Sequence, residues 1–488
     1  MNRRKFLGMT GLAATSATQT AQAGARMIGI QVGAVSFVDE GIEPVLDIFQ
    51  KAHINTLFLA VFTYGRGIAG RQVPGQPLPD HGKQEYDLDF HGGNYATVHP
   101  QYYQDTGIRP EDTRAPDHGD LDIVAAVLPA TRKRGMKTIL WAEDVWRNDI
   151  PGIDKLREVD LHGRRGARLC FNNPYHRNFL LGLVEDYTRS YEIDGIMWGS
   201  ERHGALGNAL SASHGGEPGD PGRVGCFCGY CETKAKRQGR FDFSRVREGY
   251  LRLEADVNAA RAGRRAVDGH FVSFLRLLMR NPEILAWEQF WHDSLRETYA
   301  AIYQKVKSIR PEVMVGWHIW HNNSFSPFYR AQQDLRELSR YSDFLKMVMY
   351  HNCGGERIAS YIRRMTGNIF GDFAPQAALD LHYRVMNYHE GNLEQIPFTG
   401  LSADYVARET RRAVEGAAGT KTLIWPGIDI DIPTAAGNSK STPEGTKAAV
   451  LASLRAGAHG VLLSRKYSEM RLANLRGAGE AIEELGRA

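Results

Sequence analysis

Three cysteines fall within six residues in Cys226-Phe227-Cys228-Gly229-Tyr230-Cys231, and a fourth, Cys170, stands upstream in Arg168-Leu169-Cys170-Phe171-Asn172-Asn173-Pro174. Close thiolates are the soft ligands that zinc takes in tetrahedral geometry, and four of them close a structural site with no position left for water. The C-x-C-x-x-C triplet carries this reading, and Cys170 extends it to four ligands. A disulfide within the triplet beside a free thiol, or an iron–sulfur cluster, would use the same residues.

Carboxylates offer a second chemistry. In Ile193-Asp194-Gly195-Ile196-Met197-Trp198-Gly199-Ser200-Glu201 an apolar strand runs into a glutamate. Glycoside hydrolysis needs one carboxyl to protonate the leaving oxygen and a second to act as nucleophile or base. Glu201 suits the acid; a surface glutamate capping its strand is the plainer alternative. Other apolar runs also end in polar and aromatic residues: Glu143 and Asp144, then Trp317, His318, Trp320 and His321, then Tyr350 and His351, then Arg465 and Glu469. Sugars are held by aromatic faces and by charged groups on their hydroxyls, so Glu143, Trp198, His318, Trp320, His321, Tyr350, His351, Arg465 and Glu469 are expected to bind substrate. His318 and His321 could instead ligate a metal.

Such residues need a scaffold that collects strand ends. From residue 28 short β-branched runs alternate with amphipathic stretches, the pattern of repeated βα units around a parallel sheet. Strands are expected near 28–35, 56–62, 137–142, 195–198, 314–319, 344–350, 422–425 and 460–464. Helices are expected near 41–52, 120–134, 175–191, 283–308, 332–340, 402–416, 442–456 and 472–485. Eight such units predict a closed α/β (β/α)₈ TIM barrel, with an open doubly wound sheet as the alternative. Long insertions after strands two (63–118) and four (202–281) lie on the side where barrels place their sites. No second domain is read within 26–488.

The formal charge of +4 is close to balance for 488 residues, so nothing points to nucleic acid or a membrane surface. Eight Trp, 20 Tyr and 20 Phe suit a protein that stacks flat apolar faces. At the N-terminus, Arg3-Arg4-Lys5-Phe6-Leu7 precedes a weakly apolar stretch and Ala21-Gln22-Ala23. This order reads as a twin-arginine-type signal peptide over 1–23, hence a periplasmic or secreted protein. The apolar stretch is far short of the ~20 residues that span a bilayer.

Cys170 before a Pro-Tyr pair, a glutamate closing strand four and the C-x-C-x-x-C after it resemble the zinc-bearing family 42 β-galactosidases of clan A of the glycoside hydrolases. The run Gly460-Val461-Leu462-Leu463-Ser464-Arg465-Lys466-Tyr467-Ser468-Glu469-Met470, followed by Asn474-Leu475, is similar to bacterial hypothetical glycosyl hydrolases. The likeness spans about residues 28–485. It implies Glu201 as acid/base and Cys170, Cys226, Cys228 and Cys231 as ligands of a structural zinc. The clan's usual Asn before the acid/base is Ser200 here, and no trimerisation domain is read after the barrel, so galactoside specificity is not implied. In clan A the second carboxyl closes strand seven, where Trp425-Pro426-Gly427-Ile428-Asp429-Ile430-Asp431-Ile432-Pro433 holds no Glu. Asp429 is the expected nucleophile and Asp431 its near rival. Either could instead bind a sugar hydroxyl or cap a turn.

The expected function is a retaining glycosidase acting on a carbohydrate, with a raised pKa on Glu201 and an ionised Asp429. A barrel isomerase or lyase with a metal held by Glu143, His318, His321 and Glu469, and a carbohydrate-binding protein without catalysis, are the alternatives.

Overall fold

The computed structural model describes residues 26–64, 69–214, 218–430 and 441–487. The signal-peptide residues 1–23 and Asp431 lie outside the described residues. Eight strands form the barrel: β1 (Met27–Val32), β2 (Thr56–Tyr64), β3 (Lys137–Glu143), β4 (Gly195–Gly199), β5 (Met314–Ile319), β6 (Phe344–Val348), β7 (Leu423–Asp429) and β8 (Gly460–Ser464). Each pairs in parallel with the next, and β8 returns to β1 through Ile28↔Val461 to close the cylinder. This is the (β/α)₈ barrel expected from the eightfold alternation.

Two strand ends differ from expectation by three residues or more, for local reasons. β1 stops at Val32 because Gly33 caps a short helix, Ala34–Glu40. β7 runs four residues past Trp425, through Pro426. A proline cannot donate to a ladder and so reads as a strand end, yet Pro426 stays in register opposite Met347, and Gly427 to Asp429 go on pairing with β8. The helix expected over 332–340 shrinks to Leu335–Leu338 and a 3₁₀ turn.

Side chains alternate along each strand. One set faces the helices, where Trp198 and Trp317 pack against Tyr299 of the long helix Glu283–Ile309. The other set fills the cylinder: Phe58, Ala60, Ile139, Trp141, Met197, Phe344, Trp425 and Leu462 form its apolar floor. Phe344 stacks on Trp425 with ring centroids 4.2 Å apart. The next inward positions toward the strands' C-terminal ends are polar, and they build the site.

The connections at that end are long. After β2, the short strand Gly92–Asn94 pairs antiparallel with the β2 tip. After β3 comes an antiparallel hairpin, Arg157–Val159 with Arg165–Leu169. After β4, the segment up to the long helix includes Gly229–Gln238, Phe243–Arg261 and His270–Arg280. Among the described residues no helix is long and apolar enough to cross a membrane.

Candidate active site

Counting inward positions upward from the floor gives Trp141 then Glu143 on β3, Met197 then Gly199 on β4 with Glu201 two residues beyond it, His318 on β5, and Phe344 then Lys346 on β6. These four polar side chains crown the barrel floor. His318 Nε2 lies 2.8 Å from Glu201 Oε1, and Lys346 Nζ lies 3.3 Å from His318 Nδ1 and 2.9 Å from the Tyr350 hydroxyl. Trp141 Nε1 donates to Glu143 Oε1 at 2.5 Å. Two glycines make the room. A Cβ on Gly199 would stand 3.0 Å from His318 Cβ and 3.2 Å from Glu143 Oε2, and one on Gly427 would stand 2.5 Å from Lys346 Cε.

The two glutamates experience opposite surroundings. Glu143 is buried, and that burial, with the charge of Glu201, raises its carboxyl to about 8, so it carries a proton at neutral pH. Glu201 keeps 38 % of its side chain exposed. Desolvation pushes its carboxyl up, but the hydrogen bond of His318, the charge that His318 and His214 take on at low pH, and Arg357 outweigh it and bring it down to about 2. Burial pulls Lys346 down to about 7 against the attraction of Glu201 and Glu143. Burial likewise lowers His318, His214 and His321, with the positive charge of Lys346 or Arg357 adding to it, so these imidazoles are neutral near pH 7.

Around this core stand Tyr350 and Arg357, whose guanidinium lies 5.6 Å from the Tyr350 ring centroid and donates to His321 Nδ1 at 3.0 Å. Arg465 bonds Glu469 at 3.2 Å and holds φ +73°, a left-handed conformation that costs a non-glycine residue strain and concentrates at functional sites. Glu143, His318, Tyr350, Arg465 and Glu201, all expected from sequence, thus share one mouth. Lys346 was not foreseen. Its signal is a lysine on the inward phase of Phe344-Leu345-Lys346-Met347-Val348, a strand that is otherwise apolar.

Other expected residues stand elsewhere. Trp198 is a correction: it lies on the helix-facing phase of β4, packed on Tyr299 and Phe171, and cannot meet a sugar in the barrel. Trp320 is enclosed by His203 and Tyr329, and fully buried His321 is spent between Tyr405 and Arg357. Asp429 is fully buried. It accepts from the backbone N–H of His351 (2.8 Å), Asn352 (3.1 Å) and Cys353 (2.9 Å), and His351 Nδ1 lies 2.8 Å away. Both its oxygens are used to anchor the loop after β6, which leaves neither free to attack an anomeric carbon. Glu469 is enclosed beside Arg465.

The four cysteines come together as the sequence suggested. Cys170 ends the hairpin, Cys226 and Cys228 precede the helix Gly229–Gln238, and Cys231 lies in its first turn. Their sulfurs all fall within 4.8 Å of one another, with Cys170 at 3.6 Å from Cys228 and 3.5 Å from Cys231. Disulfide sulfurs sit ~2.05 Å apart, so the cluster is unbridged, and the spacing approaches the ~3.8 Å edge of a tetrahedron with 2.3 Å metal–sulfur bonds. Val159 N and Asn172 Nδ2 point at Cys226 and Cys231 sulfurs from 3.4 and 3.3 Å. The hydrogen bonds of Cys170, Cys226 and Cys231 pull Cys228 far below the usual thiol range. This buried group can hold a metal ion. Among the described residues Glu143, His318, His321 and Glu469 form no comparable group.

No protein-family model matches the sequence, and no curated relative does. Solved structures do. The β-galactosidase of the Antarctic haloarchaeon Halorubrum lacusprofundi superposes with a TM-score of 0.51 at 14 % identity, over 95 % of this chain and 58 % of its own. α-L-Fucosidase isoenzyme 2 from Paenibacillus thiaminolyticus superposes with a TM-score of 0.50 at 12 % identity, over 94 % of this chain and 49 % of its own. What they share with it is the barrel. The chain spans about half the length of these proteins, and at such identity the likeness is one of fold.

Proposed function

We propose that this protein is a glycoside hydrolase in which Glu143 is the proton donor and Glu201 the ionised carboxylate. The observation that carries the reading is the pair itself: two glutamates at the ends of adjacent strands, one kept protonated by burial and the other kept ionised by His318. Separated carboxyl environments are what acid and nucleophile roles require. The assignment differs from the sequence expectation, which gave Glu201 the proton and Asp429 the attack. Glu143 would protonate the glycosidic oxygen while Glu201 attacks the anomeric carbon, and water would then release the sugar with Glu143 acting as base. The barrel's likeness to a galactosidase and a fucosidase supports a sugar substrate.

A panel of nitrophenyl glycosides, with product anomers followed by NMR, tests this reading. Turnover with the retained anomer is expected. No turnover of any glycoside by a folded protein would end it.

Zinc is the proposed occupant of the cysteine cluster, because four thiolates at tetrahedral spacing suit a d¹⁰ ion without a redox role. Export is proposed from Arg3-Arg4 and Ala21-Gln22-Ala23. The double change Arg3→Lys and Arg4→Lys should leave precursor in the cytoplasm.

A further inference from the structure

Lys346 sits in the middle of a barrel strand, fully buried, and no carboxylate among the described residues lies within ion-pair distance of it. A buried amine of this kind is costly to charge and needs a compensating task. Its Nζ has two polar neighbours, the Tyr350 hydroxyl at 2.9 Å and His318 Nδ1 at 3.3 Å. On the far side of the same imidazole, Nε2 meets Glu201 Oε1 at 2.8 Å. A neutral imidazole has one N–H and one lone pair. If Lys346 donates, Nδ1 must carry the lone pair and Nε2 the hydrogen, which then points at a carboxylate. If Lys346 accepts, the order reverses and Glu201 must be protonated.

We propose that Lys346 is a positioning residue for the reaction: by donating to His318 Nδ1 it fixes the Nε2–H tautomer, and so holds Glu201 aligned as a carboxylate. The inference deepens the proposed function, since it rests on Glu201 being the ionised partner of Glu143.

The space around Lys346 is built for this. Gly427 on β7 leaves the gap that its Cε fills, and Ser464 on β8 borders the same gap. The charged and titratable groups that face it come from every side: Glu143 on β3, Glu201 after β4, His318 on β5, Tyr350 after β6, Arg357 on the helix Gly354–Thr366 and Arg465 after β8. The two glutamates favour the ammonium, and the two arginines oppose it. The ammonium in turn lowers Glu143. Removing it lets Glu143 keep its proton to higher pH.

The test uses the full chain with ¹⁵N-labelled histidine, and His318→Gln to assign the signal. In the unchanged protein His318 should show the Nε2–H tautomer at neutral pH, and in Lys346→Met a mixture of both. The kcat of Lys346→Met should fall about tenfold or more with KM nearly unchanged, and the alkaline limb of its kcat/KM profile should move up by about half a pH unit or more. A merely structural role would lower activity at every pH and leave that limb where it was. Lys346→Gln replaces Lys346→Met if thermal unfolding shows the methionine variant to be misfolded. An Nδ1–H signal in the unchanged protein overturns the proposal, as does a variant with both tautomer and limb unmoved. The tautomer is read without turnover, so a blank glycoside panel would sink the proposed function while leaving this measurement decisive for Lys346.

Discussion

Glu143 and Glu201 end neighbouring strands and carry the same functional group, so their different chemistry comes wholly from what surrounds them. Glu143→Gln removes the proposed proton donor. Substrates with poor leaving groups should then lose roughly 10²–10⁴-fold in kcat/KM, and activated aryl glycosides much less. Glu201→Gln should depress all substrates alike. In the unchanged protein kcat/KM should fall as pH rises through about 8, where Glu143 loses its proton. The same shift bears on stability. The folded protein keeps on Glu143 a proton that the unfolded chain releases near 4.5, so folding binds a proton between about 4.5 and 8 and this group's contribution declines as pH rises through that window. Glu143→Gln lacks the decline, and its melting temperature relative to the parent should rise from pH 5 to pH 8. Asp429 behaves oppositely. His351 and the backbone N–H groups hold it below the usual carboxylate range, so its contribution is present at neutral pH and is lost as pH falls through that lowered value. Asp429→Asn offers one acceptor oxygen in place of two and should cost about 1–3 kcal/mol in denaturant unfolding. The place of Glu201 at the barrel mouth was legible because a carboxylate closing an apolar strand is conspicuous, whereas its protonation depends on His318, which the sequence does not place beside it. Asp429 was misread because sequence gives the strand end but not the backbone amides that a neighbouring loop brings to it.

At the scale of elements, Arg202 joins two parts of the molecule next to Glu201. It donates to Leu169 O at 2.9 Å, at the end of the hairpin that delivers Cys170, and pairs with Asp144 at 3.1 Å and Glu158 at 3.5 Å, with its guanidinium 3.7 Å from the Phe171 ring centroid. Ser200, where clan A usually has Asn, donates to Asp144 at 2.7 Å. The cysteine cluster thus buttresses the loop that presents the Glu201 carboxylate. The purified protein should hold about one zinc per chain, colourless and lost only when the protein is loosened by denaturant. Cys231→Ser should lower both the melting temperature and kcat, and the loss should not be repaired by adding metal; equal activity in a metal-free, fully folded variant would show that the cluster and Glu201 are independent. The strands and their order were readable because two periodicities alternate eight times. Their inward phase was harder to read: Trp198 lies on the helix side of β4, whereas Lys346 lies on the inner side of β6. A strand's end tells where the mouth is, and only a residue count from a known inward position tells which side chains reach it.

Across the whole molecule the barrel divides its labour by height. The floor is dry and aromatic, and the layer above it is polar and hydrogen-bonded within itself, so stability and chemistry should respond to different substitutions. Phe344 and Lys346 make the cleanest comparison, because they are two residues apart on one face of one strand and both fully buried. Phe344 stacks on Trp425 at 4.2 Å and meets Phe58 edge-on at 6.1 Å. Phe344→Ala empties the centre of a layer to which strands from around the cylinder contribute, so little can collapse into the space, and the cost should reach about 3–5 kcal/mol in denaturant unfolding. Its pH profile for kcat/KM should keep the parent's limbs, since no titrating group in the mouth has changed. Lys346→Met removes a buried amine and replaces it with an apolar chain of similar length. It should therefore unfold at equal or higher denaturant than the parent while its alkaline limb shifts. A Phe344→Ala protein with a displaced limb, or a Lys346→Met protein that loses stability as Phe344→Ala does, would show that the two layers are mechanically one and that the division by height is false.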